Sequence, residues 1–137
     1  MNADMTGEET VRVDLQTDIG EALLVCDRLL TSRGFSETDS CVVMTAVSEL
    51  ARNMFEYAPG KGVMRFQVLD EDERRGIRII AEDRGPGIAD LAAAMTDHLS
   101  TSGGLGLGLP GVKRLMDEFH IESTVGTGTS VTATKWA

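Results

Sequence analysis

The chain has 137 residues, 42% of them hydrophobic, which makes it one domain of ordinary size with enough apolar material to bury a core without disulfide or metal staples. Twenty-two acidic against thirteen basic residues leave a formal charge of -9, which argues against nonspecific binding to nucleic acid or to anionic lipid. No basic start leads into an apolar run and no apolar stretch reaches bilayer length; Cys26 and Cys41 lack metal-site spacing and read as reduced, partly buried thiols, so a soluble cytoplasmic domain with no membrane partner is expected.

In chain order, the polar residues Met1 to Glu9 are expected to form a mobile tail ahead of a domain over 10–137. Alternation in Thr10-Val11-Arg12-Val13-Asp14-Leu15 predicts a half-exposed strand. Asp18, with Glu21 three positions on, predicts a capped helix whose apolar face carries Ile19, Ala22, Leu23, Cys26, Leu29 and Leu30, ending at Gly34. Ser36 followed by Asp39 is a second capping signal. The long helix after it buries Val43, Ala46, Val47, Leu50, Met54 and Phe55 and stops at Pro59-Gly60-Lys61-Gly62. Glu49 and Asn53, four apart, share a different face of that helix, with Arg52 and Glu56 nearby.

Val63 to Leu69 and Gly76 to Glu82 predict two strands joined by the charged connection Asp70 to Arg75, the second strand ending abruptly at Asp83-Arg84-Gly85-Pro86-Gly87-Ile88. Leu91 to His98 is expected to be a short helix or a mobile segment. Beyond it lies Ser100 to Gly111, STSGGLGLGLPG, feeding a helix whose apolar stripe is Leu109, Val112, Leu115, Met116 and Phe119. His120 to Thr124 and Ser130 to Trp136 form a last strand pair around Val125 to Thr129. Up to five strands against three main helices, with no internal repeat, predict an α+β fold: a two-layer sandwich of a mixed, mostly antiparallel sheet with helices on one face.

The glycine-rich stretch carries the strongest chemical signal. Gly104, Gly106 and Gly108 let backbone N–H groups approach a ligand without Cβ interference, and the first turn of the following helix adds unpaired donors, together an anion site suited to a polyphosphate. A flexible linker is the alternative, but linkers rarely place leucines such as Leu105, Leu107 and Leu109 between the glycines. Neither a Walker loop nor a dinucleotide fingerprint fits, since no Gly-Lys-Ser/Thr follows and no strand immediately precedes Gly103. Phosphate charge would then need a metal held elsewhere in the chain. Asn53 alone could be a tolerated surface residue and Asp83 alone an ordinary strand-end aspartate; it is their combination with the glycine segments and Thr129 that the core leaves unexplained.

That combination resembles the GHKL, or Bergerat-fold, ATPases. ELARNMFEYA is similar to the family's N-box, EDRGPGI to its first glycine box, GGLGLGLPG to its second and GTGTSV to its terminal motif, all in family order over essentially the whole chain. SELARN, STSGGLG and GLPGVKRLMDEF resemble, more narrowly, the stressosome serine/threonine kinases of the anti-sigma-factor kinase branch. The resemblance implies an ATP- and Mg2+-dependent kinase with Glu49 as general base and Asn53 as magnesium ligand. It implies that Asp83 accepts from the adenine amine, that Gly85, Gly87 and Ile88 lie along the base, and that Thr129 completes the polar network. Gly104, Leu105, Gly106, Leu107 and Gly108 would line the phosphates, with Thr101 and Ser102 beside them, under a short ATP lid over 89–103. Arg52 could contact phosphate, anchor Glu49, recognise an acidic partner or form an ordinary surface ion pair.

The partners implied by the resemblance are STAS-domain scaffold and antagonist proteins and, after release from them, a phosphatase of the RsbU type, within sigma-factor regulation. Two other functions fit a nucleotide site of this kind: an anti-sigma factor that sequesters a sigma factor, and a detached catalytic domain of a histidine kinase. His98 and His120 lack a phosphoacceptor context.

Overall fold

The computed structural model describes residues 8–96 and 108–137. In order the elements are β1 (Glu9–Val13), α1 (Thr17–Ser32), α2 (Glu37–Tyr57), β2 (Gly62–Glu71), β3 (Arg74–Asp83), α3 (Leu91–Ala94), α4 (Gly108–Leu115), β4 (Glu118–Thr124) and β5 (Gly128–Trp136). The five strands form one sheet in the order β1-β2-β3-β5-β4, and every pairing among the described residues is antiparallel, so the mixed character expected of the sheet is not found there.

Period-two alternation sends Val11, Val13, Met64, Phe66, Ile77, Ile79, Ala81, Val131 and Ala133 to one face, where α1, α2 and α4 cover them in a single core. Arg12, Arg65, Arg78 and His120 lie on the opposite face. From α2 the core receives Val43, Ala46, Val47, Leu50 and Met54, as the helical spacing predicts; Phe55 is half-exposed and stands outside it. Ser36 caps α2, its side chain accepting from the Asp39 amide at 3.0 Å, an interaction of about 1 kcal/mol.

Several boundaries differ from the sequence reading, each for a local reason. β1 ends at Val13 rather than Leu15, because Asp18 draws the chain into a turn: its Oδ2 accepts from both Asp14 N and Leu15 N at 2.8 Å. Asp18 therefore sits inside the first turn of α1 and ties down the preceding loop instead of acting as N-cap. The Leu15 and Asp14 amides, in that order, hold its carboxyl below the usual range. The six-residue connection expected over Asp70 to Arg75 is a two-residue turn, Asp72 and Glu73 at φ 50 and 64, with Glu71 paired to Arg74. Such left-handed dihedrals close a tight hairpin in register with the twist of the strands. The helix expected to reach Phe119 stops at Leu115, and Phe119 joins β4 opposite Ala133, reaching the same core from a strand. The expected helix over Leu91 to His98 is confined, among the described residues, to Leu91–Ala94, capped by Asp90. Cys26 is buried as expected, whereas Cys41 is exposed.

Candidate functional site

Two groups of candidate side chains stand out, one across the ends of the strands and one on the C-terminal half of α2. The first is a polar row across three strands. Asp83 pairs with Thr129, and Thr129 with Ser123, in direct cross-strand register. Asp83 shares its side of the sheet with Ile79 and Ala81, the helix-covered side, so a carboxylate stands where the apolar layer ends. Its Oδ1 accepts from Gly85 N at 2.9 Å and from Thr129 N at 3.3 Å, while Oδ2 has no partner among the described residues. Ser123 is the hub of the remainder: its Oγ accepts from Ile88 N at 2.7 Å, lies 2.8 Å from Thr129 Oγ1 and reaches Gly128 O at 3.3 Å. The arrangement holds Asp83 by backbone amides and leaves one carboxylate oxygen for a ligand that donates a hydrogen bond.

The glycines around this row are required sterically. Gly87 has φ +80, and a Cβ there would overlap the backbone of Thr124. Gly85 packs on the C-cap of α2, where a Cβ would come within 2.6 Å of Ala58 Cβ. Gly128, at φ +139, lies so close to the Asp83 carbonyl that no side chain fits. Sequence reasoning placed Gly85, Gly87, Ile88, Asp83 and Thr129 together, and they are together. It missed Ser123 and Gly128; the Gly-x-Gly pattern of VGTGTS was the available signal for Gly128.

The second group lies on α2. Glu49 is 5% exposed, the one charged side chain buried among the described residues. Its Oε2 accepts from Arg52 Nη1 at 3.0 Å, one helical turn on, and Oε1 has no partner among the described residues. Asn53, half-buried, follows Glu49 by four positions and so extends the same face. A buried carboxylate is tolerated when its charge is compensated, which Arg52 does. Among the described residues no three His, Cys, Asp or Glu side chains are grouped to hold a metal ion. Magnesium commonly takes one or two protein oxygens and completes its shell with water and substrate phosphates, and the Asn53 amide oxygen is a donor of the kind it accepts.

A cavity of about 670 Å³ opens at this end of the sheet, with Asp83, Ser123 and Thr129 in its wall, but also Arg12, Lys61 and Glu82; Glu49 and Asn53 do not line it. Its extent therefore does not take in both groups: Asp83 belongs to its wall, and Glu49 and Asn53 stand apart from it on α2. Gly108 opens α4 at φ +57. Thr101, Ser102, Gly104, Leu105, Gly106 and Leu107 lie outside the described residues, as do Met1 to Gly7 of the expected tail and residues 97–103 of the expected lid. No helix among the described residues is long and apolar enough to cross a membrane.

Known proteins share this framework. The chain is 46% identical over 132 residues to the serine/threonine-protein kinase RsbT of Bacillus subtilis, covering 96% of this chain and 98% of that one. It is 36% identical over 95 residues to the anti-sigma F factor of Clostridium novyi, covering 65% of each. Among solved structures, the RsbU and RsbW domains of a Mycobacterium tuberculosis protein superpose with a TM-score of 0.66 at 17% identity, covering 93% of this chain and 31% of that one; this is a likeness of fold. Residues 12–135 match the histidine kinase-like ATPase domain, and the chain belongs to that family.

Proposed function

We propose that this chain is an ATP- and magnesium-dependent protein serine/threonine kinase of the RsbT type. It acts in the cytoplasm on STAS-domain scaffold and antagonist proteins within sigma-factor regulation, and after release from them it activates a phosphatase of the RsbU type. The observation that carries this reading is Glu49: a carboxylate buried on α2, with one oxygen bound by Arg52 and the other open, one turn from Asn53. Near-full-length similarity to a kinase named RsbT supports the same reaction.

Asp83 Oδ2 accepts a hydrogen bond from the adenine amine, a position where the oxygen of guanine would meet a second acceptor. Ile88 contacts the base, and Thr129 with Ser123 completes the polar edge. The backbone from Gly104 to Gly108 cradles the phosphates, flanked by Thr101 and Ser102, beneath a lid over 89–103. Asn53 offers a neutral oxygen to magnesium, which when bound offsets the charge of the phosphates. Glu49 orients the acceptor hydroxyl and takes its proton as the hydroxyl oxygen attacks the γ-phosphorus in line.

The test is phosphoryl transfer from labelled ATP to purified STAS-domain proteins, with the modified position found by phosphopeptide mass spectrometry. Glu49→Gln keeps the size and much of the nucleotide affinity but removes the base, so transfer should fall about 10²-fold or more. Transfer at the normal rate by folded Glu49→Gln would refute the general-base role. Similarity to anti-sigma F factors supports a second reading, sequestration of a sigma factor, which predicts tight partner binding without transfer.

A further inference from the structure

Arg52 is the one basic residue in α2, a helix that also carries Glu37, Asp39, Glu49 and Glu56. It spends an N–H on Glu49 Oε2 at 3.0 Å rather than reaching into solvent, and its side chain is 32% exposed against 6% for Glu49. In an ordinary surface pair both partners are solvated and the bond contributes little. Here one partner is buried. A glutamate has three side-chain torsions, and without a tether its carboxylate could rotate either oxygen, or neither, toward a ligand. The i,i+3 bond to a planar guanidinium restricts that freedom and leaves Oε1 as the oxygen without a partner among the described residues.

We infer that Arg52 is a positioning residue for phosphoryl transfer, clamping Oε2 so that Oε1 of Glu49 receives the proton of the acceptor hydroxyl. The inference rests on the kinase reading above. In the step it serves, the hydroxyl proton passes to Oε1 and the hydroxyl oxygen bonds to the γ-phosphorus. The bond from γ-phosphorus to the β,γ-bridging oxygen breaks, and its electron pair leaves with ADP. Glu49 later returns its proton to solvent. Arg52 makes and breaks no covalent bond; it sets which oxygen is in line, and an error of about 1 Å in such a geometry can cost around 10²-fold in rate.

The experiment measures steady-state transfer from ATP and magnesium to a purified STAS-domain protein, with a thermal melt for each variant. The set is Arg52→Ala, Arg52→Lys and Arg52→Gln, and Arg52→Ala in a Glu49→Gln background. Arg52→Ala should lower kcat about tenfold or more, with the KM for ATP and for the protein substrate each within about twofold of the intact chain. Methylguanidine at sub-denaturing concentration should restore part of that loss. In the Glu49→Gln background the same substitution should add less than about twofold, because a clamp has nothing to position once the base is gone. Should Arg52→Ala not fold, Arg52→Lys and Arg52→Gln carry the comparison, and each should lose kcat while KM holds. An unchanged kcat, a rise confined to the KM for the protein substrate, or full multiplicative losses in the double variant would each overturn the inference. Absence of transfer by the intact protein would instead defeat the kinase reading, so the two failures are distinguishable.

Discussion

Replacing Asp83 by asparagine separates ligand recognition from folding within one side chain. Oδ1 is already engaged by Gly85 N and Thr129 N, and an asparagine carbonyl can accept both bonds, so the strand end should remain intact. The open Oδ2 becomes an NH2 group, which sets a donor against the adenine amine. A hydrogen bond to a charged acceptor contributes roughly 1.5–3 kcal/mol, and each 1.4 kcal/mol is tenfold, so ATP affinity should drop about 10- to 150-fold. Binding of GTP, whose oxygen would now face a donor, should hold steady or improve. Calorimetric titration with both nucleotides measures the two changes, and a thermal melt checks the fold. A folded Asp83→Asn protein with undiminished ATP affinity and unaltered preference over GTP would refute the assignment of Oδ2 to adenine.

Ser123→Ala removes the acceptor for Ile88 N and the partner of the Thr129 hydroxyl; ATP affinity should fall about tenfold by calorimetry, from roughly 1–2 kcal/mol of lost hydrogen bonding. Unaltered binding would show that the hub serves the turn alone. Asn53→Ala should weaken nucleotide binding with magnesium present and change it little in chelator, as followed by fluorescent ATP titration; equal affinity to the intact chain in both conditions would remove Asn53 from the metal. Burial, reinforced by the charge of Asp27, pushes the Cys26 thiol up to about 12, so it stays protonated and unreactive near neutral pH, whereas Cys41 is exposed. Iodoacetamide at about pH 8 should therefore alkylate Cys41 in the folded protein and both cysteines after denaturation; peptide mass spectrometry showing modified Cys26 in the native state would contradict the packing of α1.

The parts of the fold legible in the sequence were those written in long, regular patterns. The buried stripe of α2 and its Ser36 cap need nothing but local spacing and one hydroxyl, and both are found. Phe119 misled because a phenylalanine four positions after Leu115 satisfies a helical stripe and also, one strand later, a sheet facing the same core. The β2–β3 turn gave no warning, since Asp72 and Glu73 adopt left-handed dihedrals without the Asn-Gly signal that normally announces them. Within the site, Asp83 and Thr129 were readable from the motifs that carry them, but Ser123 became visible only through strand register, which sets it opposite Thr129. The burial of Glu49 was hidden for the opposite reason: an acidic residue beside Arg52 looks like a solvated pair until tertiary packing covers one member of it.

The contact between Gly85 and Ala58 bears on how turnover can vary among related chains. Asp83, which would grip the base, belongs to the sheet; Glu49, which would receive the proton, belongs to α2; and the turn after β3 meets the end of that helix where Gly85 lies against Ala58. This close meeting joins the sheet end that carries Asp83 to the helix that carries Glu49. A single methyl group added at Gly85 would come within 2.6 Å of Ala58 Cβ and force this junction to shift. On the kinase reading, such a shift would change the separation of the two carboxylates, and with it the transfer rate, through a residue that is neither of them.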